Sequence, residues 1–249
     1  MAAPVLDVRG LQKRFAGIVA TNDLTLDVRA GETHALIGPN GAGKTTLIAQ
    51  LQGELAPDAG EIFFNGRDIT REPAHRRARL GIARSFQITS VFPQFTVLAN
   101  VALAAQAREA HGFHFFREAW TDPALTEPAL EAIGRIGLGD RAGVVAGDLS
   151  HGERRQLELA MALAMKPSLL LLDEPMAGMG REDGRRMTQI LEGLKRSCAI
   201  LLVEHDMDAV FALADRLTVL VAGRAIASGS VDEIRSDPAV RAAYLGHGS

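Results

Sequence analysis

The sequence predicts an α/β fold, and three observations carry the prediction. The run Gly38-Pro39-Asn40-Gly41-Ala42-Gly43-Lys44-Thr45 matches the spacing G-x-x-x-x-G-K-[ST]. It stands between a short apolar stretch, residues 33–37, and residues 45–52, which contain no glycine or proline; the context is therefore strand, loop, helix. Two more apolar runs, residues 169–172 and 199–203, stop at Asp173-Glu174 and at Glu204-His205, as expected of buried parallel strands whose carboxyl ends gather ligands. The N-terminal third alternates apolar with polar residues over 6–9 and 24–28, the pattern of half-buried antiparallel strands. Together these imply a mixed sheet core, an N-terminal antiparallel layer and a helical part at about residues 88–165, in one domain spanning 1–249.

Composition limits the class. The chain has 249 residues, 47% of them hydrophobic and 23% charged, enough for a sizeable core. A net charge of −3 argues against nucleic acid or an anionic membrane as a partner recognised through overall field. The first nine residues lack the layout of a signal peptide, and no apolar run approaches the ~20 residues of a membrane span, so the chain is expected to stay in the cytoplasm. The single cysteine, Cys198, reads as buried packing.

The phosphate-binding spacing has a direct chemical meaning. Glycines let successive backbone N–H groups turn toward a phosphate, and the helix N-terminus adds partial positive charge. Lys44 would bridge the outer phosphates and Thr45 would offer its hydroxyl to Mg2+, with Thr46 beside it. Phe15, between the first two strands, reads either as a core residue or as a platform for a purine base. Residues 61–69 form a hairpin around Asn65-Gly66. His75, Arg76, Arg77 and Arg79 fall on a short helix whose charges read as a solvated face. Residues 82–86 form a strand that stops at Gln87, an amide that could hold water or metal there but by itself reads as a surface residue.

Further along, residues 97–108 and 129–136 read as helices. Between them, residues 111–120 concentrate three phenylalanines and the sole tryptophan, either a satellite core or a docking surface; His111 and His114 lack a third ligand. Ser150 and Glu153 make a capping box at the start of a helix ending near 165, while Gly152 would allow a phosphate to approach the same helix end. Asp173 could hold Mg2+ through water, and Glu174 could take a proton from an attacking water. His205 lies at the same sheet edge. A hairpin around Gly223 and two short helices, near 231–235 and 238–245, close the chain.

The order of the phosphate loop, Gln87, Leu149-Ser150-His151-Gly152-Glu153, the acidic strand end and His205 resembles an ABC-transporter ATPase, a P-loop NTPase fold, across the whole chain. The resemblance implies that Phe15 stacks on adenine, and that Thr45, Gln87 and Asp173 attend Mg2+. It implies that Glu174 is the general base, His205 contacts the γ-phosphate, and Ser150, Gly152 and Glu153 reach ATP bound to a second ATP-binding subunit. The usual aspartate after Ala177-Gly178-Met179 is replaced by Gly180. Residues 81–87, 174–179 and 243–246 are similar to subunits of branched-chain amino acid importers, which implies integral membrane permeases and, indirectly, a periplasmic solute-binding protein as partners, and a peripheral place on the cytoplasmic face of the inner membrane. Two other classes compete: a lipopolysaccharide-type exporter ATPase, and an ABC ATPase acting on nucleic acid or ribosomes. The second usually carries two cassettes or a long coiled coil, and neither is present.

Overall fold

The computed structural model describes residues 3–85, 91–108, 122–195, 197–238 and 240. Strands β1 (Leu6–Phe15), β2 (Ile18–Val28), β4 (Ala59–Phe64) and β5 (Arg67–Asp68) form an antiparallel sheet in the order β2-β1-β4-β5. Strands β3 (Thr33–Ile37), β6 (Ile82–Ser85), β7 (Leu169–Asp173), β8 (Ala199–Val203), β9 (Arg216–Val221) and β10 (Arg224–Gly229) form a second sheet ordered β10-β9-β3-β8-β7-β6. In it β9, β3, β8, β7 and β6 run parallel, and β10 pairs antiparallel with β9. The mixed sheet and the antiparallel layer are those the sequence predicts.

Burial on both faces explains the unbroken apolar runs. Leu169 and Leu171 of β7 face one core, while Leu170 and Leu172 face the other. The first core lies between the two sheets and encloses helix α1 (Lys44–Gln52) through Leu47, Ile48 and Leu51. The second packs helices α3 (Val97–Arg108), α4 (Pro123–Arg135), α5 (His151–Ala164) and α6 (Arg181–Leu194) on the opposite face. Each fully buried leucine contributes about 1.5–3 kcal/mol relative to an exposed one. A third, smaller cluster seats α7 (Met207–Leu213) and α8 (Val231–Ser236) against β3 and β9.

Several expectations shift. β1 continues through Gly10, which adopts φ 56 beside a register shift, so the bulge carries the strand on to Phe15. α4 starts six residues before the expected helix, with Asp122 accepting from Ala124 N–H and a proline at the first turn; that placement suits proline. Helix α6, absent from the sequence reading, joins β7 to β8.

The solvated-face reading of residues 75–79 is wrong for Arg77 in α2 (Ala74–Leu80), which is 1% exposed. Its guanidinium donates to the carbonyls of Gln50, Leu51, Glu72 and Thr70 at 2.7–3.0 Å, and burial lowers its pKa to about 10. A cation at those last carbonyls satisfies acceptors that the helix itself leaves unpaired. The phosphate-loop helix is thus anchored at its far end.

Candidate nucleotide-binding site

Strand order assembles the site. β8 lies between β3 and β7, so the loop after β3, the acidic pair after β7 and His205 after β8 emerge side by side at one sheet edge. The loop itself is wedged. A β-carbon on Gly38 (φ 158) would stand 2.1 Å from the Leu220 carbonyl oxygen, and one on Gly43 (φ 103) 2.1 Å from that of Ala20. Neither place admits a side chain. Gly41 (φ 78) has nothing within 4 Å of its would-be β-carbon, so the crown of the loop stays open.

Gly43 caps α1 without a side-chain acceptor, and the first turn of α1 holds no acidic residue, leaving its N–H groups to an anion. Pro39, Asn40 and Thr45 are exposed, Thr46 is half-buried, and Ala42 is buried, with its N–H donating to the Pro39 carbonyl. Lys44 Nζ donates to the carbonyls of Gly38 at 2.7 Å and Pro39 at 3.1 Å. Burial lowers its pKa, with Glu174 and Asp173 opposing. Both carboxylates are therefore within electrostatic reach of the ammonium.

Asp173 is 8% exposed, and burial raises its pKa against the opposing pull of Arg84. Arg84 Nη2 donates to Asp173 Oδ2 at 3.2 Å, and Nη1 donates to Gln52 Oε1 at 2.6 Å and to Glu54 Oε2 at 3.1 Å. Sequence reasoning missed this arginine; its signal is a lone cation inside a short strand, one position before the strand's end. Among the described residues no group of three or more His, Cys, Asp or Glu could hold a metal. Asp173 and the exposed Thr45 hydroxyl are oxygen donors of the kind that could take Mg2+ beside phosphate oxygens.

Glu174 adopts φ 53, its N–H donates to the Val203 carbonyl at 2.8 Å, and its side chain is 46% exposed. His205 Nδ1 lies 3.9 Å from Glu174 Oε1. Glu204, also missed, is buried between them and accepts from the N–H groups of Met176, His205 and Asp206. Phe15 ends β1 opposite Ile18 and is 46% exposed, which excludes the core alternative. Ala20, against Gly43, puts this hairpin end beside the loop.

The Ser150 element is built as a cap. Glu153 N–H donates to Ser150 Oγ at 3.2 Å, Ser150 N–H to Glu153 Oε2 at 2.8 Å, and Arg141 Nε to Glu153 Oε1 at 2.8 Å. The backbone bond from Ser150 holds the Glu153 pKa below its ordinary value, helped by Arg141. Among the described contacts none joins this element to the phosphate loop of the same chain. Gln87 and the segment from His111 to Trp120 lie outside the described residues.

This geometry agrees with comparison to known proteins. The family model described as ABC transporter matches residues 21–177, and one described as branched-chain amino acid ATP-binding cassette transporter matches residues 226–249. The chain is 36% identical to the high-affinity branched-chain amino acid transport ATP-binding protein LivG of Salmonella typhimurium and 35% identical to BraF of Pseudomonas aeruginosa, in each case over 99% of both chains. Among solved structures, a nucleotide-free ATP-binding cassette from an ABC transporter aligns with TM-score 0.87 and 28% identity, covering 98% of this chain and 100% of that one. A cassette in its ADP conformation gives the same TM-score and identity, covering 99% and 100%. The chain belongs to the ABC transporter family and is an ATP-binding, ATP-hydrolysing cassette of it.

Proposed function

We propose that this cassette powers import of branched-chain amino acids or related small polar solutes. The observation that carries the proposal is the end-to-end likeness to LivG and BraF, reinforced by the match of residues 226–249 to the branched-chain amino acid cassette model. Among the described residues no helix is long and apolar enough to cross a membrane. The likeness to transport ATP-binding proteins supports a peripheral place on the cytoplasmic face of the inner membrane, docked to integral permeases fed by a periplasmic solute-binding protein. Nucleic acid is not a partner in this reading.

The whole chain would work as one nucleotide-binding domain, with the helices of residues 88–165 as its helical part. Phe15 would stack on the adenine of ATP, and the loop from Gly38 to Thr46 would hold its phosphates. Thr45, Asp173 and Gln87 would hold Mg2+, which supplies charge neutralisation between the phosphates. Glu174 would accept the proton of the attacking water and His205 would touch the γ-phosphate, where charge builds during transfer. Ser150, Gly152 and Glu153 would complete the site of a second subunit, either a copy of this chain or a paralogue. Deleting the gene should abolish energy-dependent uptake of labelled leucine, isoleucine and valine, and Lys44→Ala should fail to restore it. Normal uptake of all three in the deletion strain would assign the cassette to another solute.

A further inference from the structure

Glu204 is the last residue before His205, and its side chain is fully buried. A buried carboxylate is tolerated only when its lone pairs are satisfied, and here they are satisfied by two separate loops. Oε1 accepts from Met176 N–H at 2.9 Å, two residues after Glu174. Oε2 accepts from His205 N–H at 2.9 Å and from Asp206 N–H at 3.4 Å. One carboxylate thus bridges the loop after β7 to the loop after β8.

Both loops need such a tie. Glu174 sits at φ 53, a left-handed conformation that a side-chain-bearing residue keeps only when its surroundings enforce it. Its own N–H donates to the Val203 carbonyl at 2.8 Å, which fixes the first residue of the loop to β8, whereas Ala177 N–H to the Glu174 carbonyl and Met179 N–H to the Met176 carbonyl are internal to the turn. The part of the loop around Met176 is held to the far side by Glu204. The His205 ring is 68% exposed, with Nδ1 3.7 Å from Glu204 Oε2 and 3.9 Å from Glu174 Oε1, so its place is set by its backbone more than by packing.

We propose that Glu204 is a positioning residue that fixes the loop of Glu174 to the loop of His205, so that the two keep one spacing through ATP hydrolysis. The assignment rests on the roles given to those two residues above. Glu204 itself is sealed from solvent and acts through the loops it joins. A glutamine at 204 fits the same space but has one acceptor oxygen, and its NH2 group faces an N–H group of one loop or the other, donor against donor. The tie is thereby cut while the packing survives.

Hydrogen exchange measured on Glu204→Gln reads the tie directly. Exchange in residues 176–179 and 205–206 should accelerate together, ~10-fold or more, on the scale of one lost charge-assisted hydrogen bond, while the Glu174 amide, bonded to the Val203 carbonyl, stays protected. Exchange in residues 44–52 should stay as in wild type. In steady-state hydrolysis kcat should fall ~10- to 100-fold, as for a displaced catalytic group, while KM for ATP stays within about twofold. Faster exchange in only one loop, or in neither, overturns the proposal, and so does a kcat within about twofold of wild type. If wild type itself proves not to hydrolyse ATP, the functional reading fails and the exchange experiment alone decides the tie. If Glu204→Gln does not fold, Glu204→Asp, which keeps the charge but retracts it by one methylene, is judged by the same outcomes.

Discussion

Asp183, in the first turn of α6, closes over Gly152: a β-carbon on that glycine would stand 2.7 Å from Asp183 Oδ2. A side chain at 152 would therefore require the Asp183 carboxylate to move, apart from any phosphate that approaches Gly152. His151 shows the same intimacy, since a β-carbon on Gly178 would lie 3.2 Å from its Nε2. The Ser150 element and the turn leading into α6 are packed as one surface.

The first prediction follows from that contact. Gly152→Asp should destabilise the isolated chain by about 1–3 kcal/mol, because it overpacks the contact and sets two carboxylates against each other. Adding Asp183→Ala should recover most of the loss, although the change removes an acidic residue that suits a helix N-terminus. Urea unfolding of both single variants and the double variant measures the coupling. Additive effects would mean that Asp183 moves aside freely.

A second pair of variants separates binding from chemistry. Lys44→Ala removes the ammonium that now curls onto the Gly38 carbonyl, and should weaken ATP binding and turnover together. Glu174→Gln keeps the shape but cannot accept a proton, so ATP binding should persist while hydrolysis falls ~100-fold or more. Calorimetry with ATP checks the first limb and phosphate release the second. Tight binding by Lys44→Ala, or normal release by Glu174→Gln, would move the phosphate grip or the base elsewhere.

Stability should also depend on pH through His34, a residue that the fold buries near the amino end of β3. It is 1% exposed at the start of β3, with Nε2 at 2.8 Å from Thr218 Oγ1. Burial, reinforced by nearby Arg216, lowers its pKa from 6.5 to about 4, while Asp27 pulls the other way; Glu32 Oε1 is 3.8 Å from Nδ1. The folded chain thus holds fewer protons than the unfolded chain between those values, and stability falls as pH drops through 6.5 toward 4. The loss should reach about 2 kcal/mol by pH 5. Urea midpoints at pH 7.5 and 5 should therefore differ more for wild type than for His34→Gln, and parallel shifts would discharge His34 from this role.

Much of this site is legible in the sequence because each signal has a mechanism. The phosphate loop shows in its spacing and flanks, and β7 and β8 show as apolar runs because both faces are covered. What stays hidden depends on tertiary partners. α6 is an exception: Met187, Ile190, Leu191 and Leu194, the residues it packs on the core, stand at the i, i+3, i+4 and i+7 spacing of an amphipathic helix, so its signal is present in the sequence. Pro128 inside α4 masks the start of that helix. Arg77, Arg84 and Glu204 read as ordinary surface charges until the carbonyls, carboxylates and N–H groups they serve are brought together. Gly180, at the position of the family aspartate, caps α6 with φ −69 and open space at its would-be β-carbon; the backbone places no demand for glycine there, and nothing in the structure explains the substitution.

The shared-site reading of Ser150 can be separated from its role as a helix cap by Ser150→Asp. Aspartate caps a helix about as well as serine, and Ser150 is exposed, so the monomer should melt as before and bind ATP as before. Its carboxylate, however, would face the terminal phosphate of ATP held by the second subunit. Built on Glu174→Gln, which should accumulate the closed pair because hydrolysis cannot reopen it, ATP should drive dimers that light scattering detects, with a second copy or with the companion ATP-binding subunit. Ser150→Asp added to that background should weaken the pair at least ~10-fold, since like charges brought together at an interface cost several kcal/mol. Gly152→Asp cannot make this distinction, because Asp183 of the same chain already opposes it. If ATP-driven dimers persist undiminished while the monomer remains stable, Ser150 is a cap alone, and the second subunit's ATP is held by other groups.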